Sequence, residues 1–356
     1  MAYTTIDDPS AYFNTLLYTG NGGSSRDLTF SANAGDFQAD WLWFKQRSQA
    51  SRSHNVYDSV RGNSQRIETD NTGAEEEQTG LHKTFNTNGF TIGAGNIVNE
   101  NNQTFVTWGW KAGTTFTNDA SSTGIGSIDS AGNFNNDAGF SIVSYTGTGS
   151  NGTIKHGLNT VPKVVWAKSR THGTNWTLGF NINSSINFTD AFALNQNYAL
   201  EDYAGYWNDT APTSSVVSLG AHQNTNKSGE NYIAYCFSEK QGYSKFGSYT
   251  GNGNADGTFV YTGFKPAITI TKRTDSTSDW QLNDNKRDPF NPSNKLLLPN
   301  TSGAEATSSS YNMNFLSNGF KFRNTLNNQN ASGSYIYMAF AENPFVTSTG
   351  VPATAR

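Results

Sequence analysis

An all-β fold of three tandem antiparallel β-sandwich modules, of jelly-roll or lectin-like type, is what this sequence predicts, on three observations. Short aromatic and β-branched runs bounded by Gly and Asn turns fill the whole chain. No segment keeps an apolar 3.6-residue period long enough for a long helix, although 191–203 has room for one or two turns. A strand ending in a Gly-rich turn returns three times: Tyr18-Thr19-Gly20-Asn21-Gly22, Tyr145-Thr146-Gly147-Thr148-Gly149 and Tyr249-Thr250-Gly251-Asn252-Gly253.

The spacing after each opening tyrosine supports the repeat. A lysine ending an apolar strand follows at +27, +23 and +23, as Lys45, Lys168 and Lys272. An arginine stands just beyond it, as Arg47, Arg170 and Arg273. A closing aromatic strand begins at +87, +87 and +86, at Phe105, Tyr232 and Tyr335. An acidic residue recurs at +57, +56 and +56, as Glu75, Glu201 and Glu305. A charge in a sandwich core must be paired, so the simplest account of the repeated Lys and Glu is an ion pair buried under a loop.

The elements follow in order. Residues 1–12 form a turn-like arm with no apolar period, suited to docking on a neighbour or capping the first module. Repeat 1 spans 13–113, with strands expected near 16–18, 41–45, 55–57 and 105–110. Residues 114–137, rich in Thr, Ser, Asn, Gly and Asp, read as a linker that permits relative motion. Repeat 2 spans 138–240 and repeat 3 spans 241–346; with almost nothing between them, these two are expected to be stiffly coupled. Residues 347–356 read as an extended C-terminal arm.

Composition narrows the class. Of 356 residues, 13% are aromatic and only 15% charged, with 35 glycines, which fits sandwiches with polar loops that face outside a cell or particle. A net charge of −4 with scattered Lys and Arg gives no support for nucleic-acid binding. No apolar run reaches the length of a membrane span, so no membrane insertion is expected. The single cysteine, Cys236, sits in a closing strand as a small hydrophobe.

Catalytic and metal patterns are weak. The histidines His54, His82, His156, His172 and His222 show no metal-ligand spacing. Glu75-Glu76-Glu77 lacks the alternating oxygen ligands and glycine turn of a calcium loop; no cofactor is expected, and structural calcium stays open for other loops. Adjacent acids such as Glu201 with Asp202 come with no signal of a hydrolytic cleft. The Gly-rich turns precede no helix and read as hairpin turns, with no phosphate-cradling role. The strongest recognition candidate is the aromatic insertion of repeat 2, with Tyr198, Tyr203, Tyr206 and Trp207 beside carboxylates and amides, a set suited to sugar rings and their hydroxyls. The plainer account is that these rings cover the end of the sandwich or an interface.

The order Tyr-Thr-Gly-Asn-Gly, an apolar strand ending Lys-Arg, and Tyr335-Ile-Tyr-Met-Ala-Phe-Ala-Glu342, with 1–9, 57–62, 208–213, 284–288 and 345–356, resembles virion structural proteins of tailed bacteriophages, marine and cyanobacterial ones especially. The resemblance implies a virion surface protein assembled in the host cytoplasm, a tail fibre or appendage of lectin-like modules, and it brings no catalytic residues. A non-enzymatic host-glycan contact is therefore expected, in a homo-oligomer, a trimer if a fibre. The alternatives are a capsid decoration or head-fibre protein binding only virion partners and, weaker, a polysaccharide depolymerase.

Overall fold

The computed structural model describes residues 2–31 and 37–353; the first residue of the N-terminal arm and the last three of the C-terminal arm lie outside the described residues. Strands dominate. In each repeat the same four strands lie side by side in the same antiparallel order. The opening strands are Phe13–Thr19, Phe140–Thr146 and Ser244–Gly251. Each pairs with a closing strand, Thr104–Trp110, Asn231–Phe237 or Gly333–Pro344. That strand pairs in turn with the lysine strand, Trp41–Gln46, Val164–Ser169 or Phe264–Arg273. The fourth strand, Asn55–Asp58, Thr177–Asn183 or Gln281–Asp284, completes the common set.

The Gly-rich turn leads out of this large sheet into a second, smaller one. The strands that follow it, Arg26–Thr29, Gly152–Lys155 and Phe259–Tyr261, pair with Gly89–Ile92, Val216–Leu219 and Gly319–Phe322. The turns are thus crossovers between the layers of a sandwich, where a hairpin was expected. The first glycine of each turn lies against a loop near the end of the repeat. A Cβ there would stand 2.1 Å from the Glu100 oxygen at Gly20, 2.3 Å from the Lys227 oxygen at Gly147 and 2.1 Å from the Ala331 oxygen at Gly251. Only glycine permits that approach.

The opening tyrosines are equivalent atom for atom. Their hydroxyls donate to the carbonyls of Val98, Thr225 and Gln329 at 2.6, 2.6 and 2.7 Å, always 80 residues on. Their rings stack on the first aromatic of the closing strand: Tyr18 on Phe105 at 5.1 Å, Tyr145 on Tyr232 at 5.2 Å and Tyr249 on Tyr335 at 4.9 Å. The next residue is Asn99, Asn226 or Asn330, and its carboxamide accepts from the turn backbone at Asn21, Thr148 or Asn252. This asparagine stands at +81 in every repeat, a periodicity present in the sequence but missed there.

Each large sheet has two buried faces. One packs on its own small sheet, giving three separate cores around Phe44, Val165 and Phe320. The other joins a single cluster shared by all three repeats, from Phe13 and Trp41 through Trp166 and Tyr235 to Trp280 and Phe340. Near its centre Trp41 lies 4.5 Å from Trp110 and 4.8 Å from Tyr235, ring to ring, while Phe340 meets Trp110 at 5.5 Å and Phe237 at 5.9 Å. Burial on both faces explains why the lysine strands read as continuous apolar runs. It also explains the aromatic content, since all eight tryptophans are buried here or in a sandwich core.

The repeats close into a ring. Trp176 of repeat 2 donates its indole N–H to the Glu68 carbonyl of repeat 1 at 2.8 Å, and Trp280 of repeat 3 donates to Ala193 of repeat 2 at 3.0 Å. His54 of repeat 1, at the same sheet position, faces the Leu298 carbonyl of repeat 3.

Two sequence expectations are corrected by this packing. Residues 114–137 are no linker: Thr114–Asn118 and Ser130–Asn135 add two strands to the repeat 2 sheet, and Asn133 donates to the Ser59 hydroxyl of repeat 1 at 2.8 Å. The polar composition belongs in part to an edge strand, Thr114–Asn118, with Thr114, Thr115 and Thr117 exposed. Residues 191–203 do not form the helical turns expected there; 190–193 is a strand, and the short helix is Ala204–Trp207. The N-terminal arm docks on repeat 3: Tyr3 donates to the Gly263 carbonyl at 2.6 Å and Thr4 to that of Gln241 at 2.6 Å. The C-terminal arm folds back to meet it, with Ser348 N–H on the Asp7 carboxylate at 2.6 Å.

Candidate recognition site on the second repeat

The repeated lysines and glutamates do not pair with each other, contrary to expectation. Lys45, Lys168 and Lys272 are fully buried and donate to backbone carbonyls. Lys45 reaches Arg52 and, at 3.3 Å, Ser302 of repeat 3; Lys168 reaches Ser169 at 3.0 Å and Thr72 of repeat 1 at 3.4 Å; Lys272 reaches Arg273 at 2.8 Å. Carbonyl dipoles only partly replace water, so burial pushes these amines down, to about 8, about 7 and about 8 respectively.

The glutamates pair with arginines, and they do so across the seams between repeats. Glu75 takes Arg61 of its own repeat at 3.1 Å and Arg170 of repeat 2 at 2.8 and 3.0 Å. Glu305 takes Arg287 of its own repeat at 3.0 Å and Arg47 of repeat 1 at 2.7 and 2.9 Å. Behind them, Asp58 holds Arg61 and Asp284 holds Arg287, both at 2.5 Å and fully buried. The neighbouring repeat caps each acid from the core side: Tyr235 donates to Asp58 at 2.7 Å and Trp108 to Asp284 at 3.1 Å. Burial raises the Glu305 carboxyl, but Arg47 and Arg287 outweigh it and hold the group below its usual range.

The seam between repeats 2 and 3 has none of this. Phe180 occupies the sheet position of Asp58 and Asp284, opposite Val164 where they stand opposite Trp41 and Ile268. Met338 occupies the position of Trp108 and Tyr235. Asn183 stands where Arg61 and Arg287 stand, three residues on. Thr274 stands where Arg47 and Arg170 stand, and Leu200 where Glu305 and Glu75 stand; Arg273, one residue earlier, pairs with Asp275 at 2.6 Å. Backbone bonds from Leu200 to Thr274 at 2.9 Å and from Ser278 to Asn197 at 2.8 Å hold the seam, with Phe192 against Trp280 at 5.7 Å.

Glu201, the residue after Leu200, stands outside the seam. It lies exposed on a two-residue edge strand, Glu201–Asp202, and accepts from the Tyr206 hydroxyl at 3.1 Å. Tyr206 meets Tyr203 edge-on at 4.9 Å and His222 at 4.8 Å; Tyr203 meets His222 at 5.5 Å. Tyr198 and Tyr203 are 57% and 45% exposed, so their faces are open to a ligand. Partial burial and the nearby Glu201 push the Tyr206 hydroxyl up to about 12. A recess of about 40 Å³ opens between Tyr198, Glu201, Tyr206 and Phe192.

Trp207 is not part of this surface. It is 1% exposed and packs on Phe188 at 5.2 Å inside the repeat 2 core. On the one-turn helix adjacent residues point about 100° apart, so Trp207 enters the core while Tyr206 stays at its edge. His222, absent from the sequence-based set, joins the cluster because the loop after Val216–Leu219 folds back over the helix, with the His222 N–H on the Gly205 carbonyl at 3.0 Å. Its imidazole Nδ1 accepts from Asn224 N–H at 3.1 Å, and burial lowers its affinity for a proton although Glu201 opposes that. No local sequence signal links residues so far apart.

Other sequence-flagged groups are structural. Cys236 is buried, its thiol pushed up to about 12 by loss of water. Glu76 pairs with Arg66, and Glu77 is exposed. Among the described residues no three His, Cys, Asp or Glu side chains converge as a metal site, and no helix is long and apolar enough to cross a membrane.

A ring of three β-sandwiches sharing one core, with one repeat carrying an exposed aromatic and acidic cluster, defines the class of protein. The chain belongs to the family described as Domain of unknown function (DUF7483), whose model matches residues 8–344. No curated protein and no solved structure matches it.

Proposed function

We propose that this chain is a non-enzymatic surface protein of a phage particle, a tail fibre or related appendage, that touches host-surface glycan through Tyr198, Tyr203, Tyr206, Glu201 and His222. The observation that carries the reading is that, among the described residues, this cluster exists in one repeat only, on a scaffold whose four-strand order is the same three times. A sugar ring stacked on Tyr203 or Tyr198 buries apolar surface at about 25 cal/mol per Å², on the order of 1 to 2 kcal/mol per ring. Such a contact is weak singly and effective when a particle displays many copies. The resemblance to virion proteins of tailed phages supports the setting. The ring also brings three modules together within one chain, the arrangement that a fibre trimer reaches with three.

A second reading, a decoration or head-fibre protein binding only virion partners, is favoured by Phe259, Tyr261 and Phe290 of repeat 3, exposed by 42%, 55% and 77%. Exposed apolar rings of this kind suit protein contact. The test is binding of the purified chain to an array of bacterial surface polysaccharides, wild type beside Tyr198→Ala/Tyr203→Ala. Loss of a wild-type signal in the double variant, with unchanged thermal unfolding, supports the glycan reading. A wild-type chain that binds no polysaccharide but binds purified particles lacking it favours the second.

A further inference from the structure

The outer edge of the opening strand is covered differently in each repeat, a contrast that bears on protein partners and is independent of the glycan reading. Bonds from the Lys111 N–H to the Tyr12 carbonyl at 3.0 Å and from the Gly20 N–H to the Gln103 carbonyl at 2.7 Å set the alternation of Phe13–Thr19 against Thr104–Trp110. The peptide groups of Asn14, Leu16 and Tyr18 therefore serve that pairing, and those of Phe13, Thr15 and Leu17 turn outward. In repeat 2 the corresponding residues, Phe140, Ile142 and Ser144, pair with Asn135, Asn133 and Ala131 of the strand Ser130–Asn135. In repeat 3 Phe246 holds the place of Thr15, and its N–H is taken by the Glu239 carboxylate at 2.9 Å. In repeat 1 no strand lies alongside among the described residues, and Phe13–Thr19 is the edge of its sheet. The Thr15 N–H falls back on the Asn14 carboxamide at 2.9 Å, while the outward groups of Leu17 have no partner among the described residues and its side chain is 37% exposed.

The neighbouring seam shows what such an edge can hold. Asn133 reaches across from repeat 2 to the Ser59 hydroxyl of repeat 1, next to Asp58, at 2.8 Å. Asn285, next to Asp284, holds the place of Ser59: its N–H meets the Ala267 carbonyl at 2.9 Å, as that of Ser59 meets Asp40 at 2.8 Å. Where Asn133 stands between Ile142 and Ser59, the seam between repeats 3 and 1 has a cleft of about 260 Å³ bordered by Thr15 and Asn285, with Phe13, Asn14 and Lys286 on its walls. Asn285 is fully buried, and its carboxamide oxygen has no hydrogen-bond partner among the described residues. An unpaired strand edge is a template for another chain. From these we infer that repeat 1 takes up an extended segment of a partner protein by strand addition, antiparallel to Phe13–Thr19, with an amide side chain opposite Thr15 entering the cleft toward Asn285. The occupant in repeat 2 is a segment joined to its sandwich by a short turn, not the edge of another sandwich, and a cleft flanked by repeat 3 suits a lone strand in the same way.

The probe is a labelled synthetic peptide with the sequence of residues 129–135, titrated against the full chain by fluorescence anisotropy. The wild-type chain binds it saturably. N-methylation of the peptide at the residues matching Ala131 and Asn133, whose N–H groups face the edge, abolishes binding; the same change at those matching Gly132 and Phe134, whose N–H groups face away, leaves it. Alanine in place of the peptide residue matching Asn133 weakens binding roughly fivefold, the loss of one hydrogen bond. Leu17→Pro removes an outward N–H that an edge strand can spare, so it abolishes binding with little change in thermal unfolding. Should that variant fail to fold, the two N-methylated peptides read the same edge on the wild-type chain. No saturable binding, equal loss in both N-methylated peptides, or binding that survives in folded Leu17→Pro overturns the proposal. Self-association of the wild-type chain that Leu17→Pro abolishes, without peptide binding, assigns the edge to a second copy and overturns it as well.

Discussion

Asp58 to Arg61 in repeat 1 and Phe180 to Asn183 in repeat 2 occupy the same place in the same strand order, yet one anchors a four-charge network and the other a greasy seam. The change is concerted. Where the acid is present, the facing residue of the next repeat is a hydrogen-bond donor, Tyr235 or Trp108; where the acid is Phe180, the facing position is Met338. A buried carboxylate without its donors and guanidinium would carry an uncompensated charge, so the members of the set can only be exchanged together. At the seam without the network, Leu200 and Thr274 stand where the other two seams have a glutamate and an arginine, joined by the same backbone bond. The exchange reaches all four places of the network, which in this one seam hold the uncharged Phe180, Asn183, Leu200 and Thr274.

The largest effect should come from breaking an ionic seam by halves. Arg61→Met and Arg287→Met each leave a buried aspartate and a glutamate short of a partner, and each should cost about 3 to 5 kcal/mol. Phe180→Leu, at the same position of the apolar seam, should cost under about 1.5 kcal/mol. Chemical denaturation of the three variants measures the contrast. Equal losses at the two positions would mean that the ionic and apolar seams are energetically alike.

Protonation sharpens the comparison next. Lys168 has its amine lowered to about 7 by burial, and no carboxylate faces it. Between that value and the ordinary 10.5 of an unfolded lysine, the unfolded chain holds a proton the folded chain has released. Stability therefore rises with pH from about 7 upward, by at most about 1.4 kcal/mol per pH unit from this one group. Lys45 and Lys272, lowered to about 8, add to the rise from that point. Lys168→Met should flatten the lower part of the slope between neutral pH and the onset of tyrosine ionisation. Thermal unfolding of wild type and variant across that window decides it; parallel profiles would show that Lys168 stays protonated.

Within a repeat, by contrast, the three units should respond alike. Tyr18→Phe, Tyr145→Phe and Tyr249→Phe each delete one hydroxyl bond to a carbonyl 80 residues away. Each should cost about 1 kcal/mol, since the lost bond is neutral and the ring stacking survives. Losses that differ several-fold among the three would show that the repeats, equal in geometry, are unequal in energy.

What the sequence disclosed divides along the same line. Strand class, repeat period and the equivalence of the opening tyrosines are local or periodic, and the offsets after Tyr18, Tyr145 and Tyr249 carried them. The lysine strands showed their double burial as unbroken apolar runs. The shared core did not show, because nothing in the runs around Trp41 or Trp166 says whether a second buried face meets another repeat or another chain. Polar composition misled at 114–137, where an edge strand leaves Thr114, Thr115 and Thr117 exposed. The ion pairs were misassigned for a related reason: Glu75 and Glu305 find arginines of a neighbouring repeat, so in-repeat spacing pointed to the lysines. At the recognition cluster, Tyr198, Tyr203 and Tyr206 were legible as an insertion, whereas Trp207 was misplaced by its adjacency to Tyr206.

The smallest expected effect is the most specific. Glu75 and Glu305 share one place in the repeat, Glu201 follows Leu200 at that place, and replacing each by Gln changes only a charge. At Glu75 and Glu305 the substitution strips one carboxylate charge from two arginines each, one of them fully buried, and should cost on the order of 1 to 3 kcal/mol. For Glu305 part of that loss should already appear in the wild type under acid. Its carboxyl is held below the ordinary value, so its contribution is complete above that value and disappears as pH falls through the lowered one. At Glu201 the substitution meets one tyrosine hydroxyl and solvent, and the amide oxygen can still accept that bond. The change in unfolding free energy should stay within about 0.5 kcal/mol, the usual range for surface substitutions. Three Gln variants compared in one denaturation series therefore separate the two seam carboxylates from the surface one: two losses and one neutral result. A loss at Glu201 matching the other two would place that carboxylate in the fold, and the repeat 2 cluster would then have a structural reason to exist without any ligand.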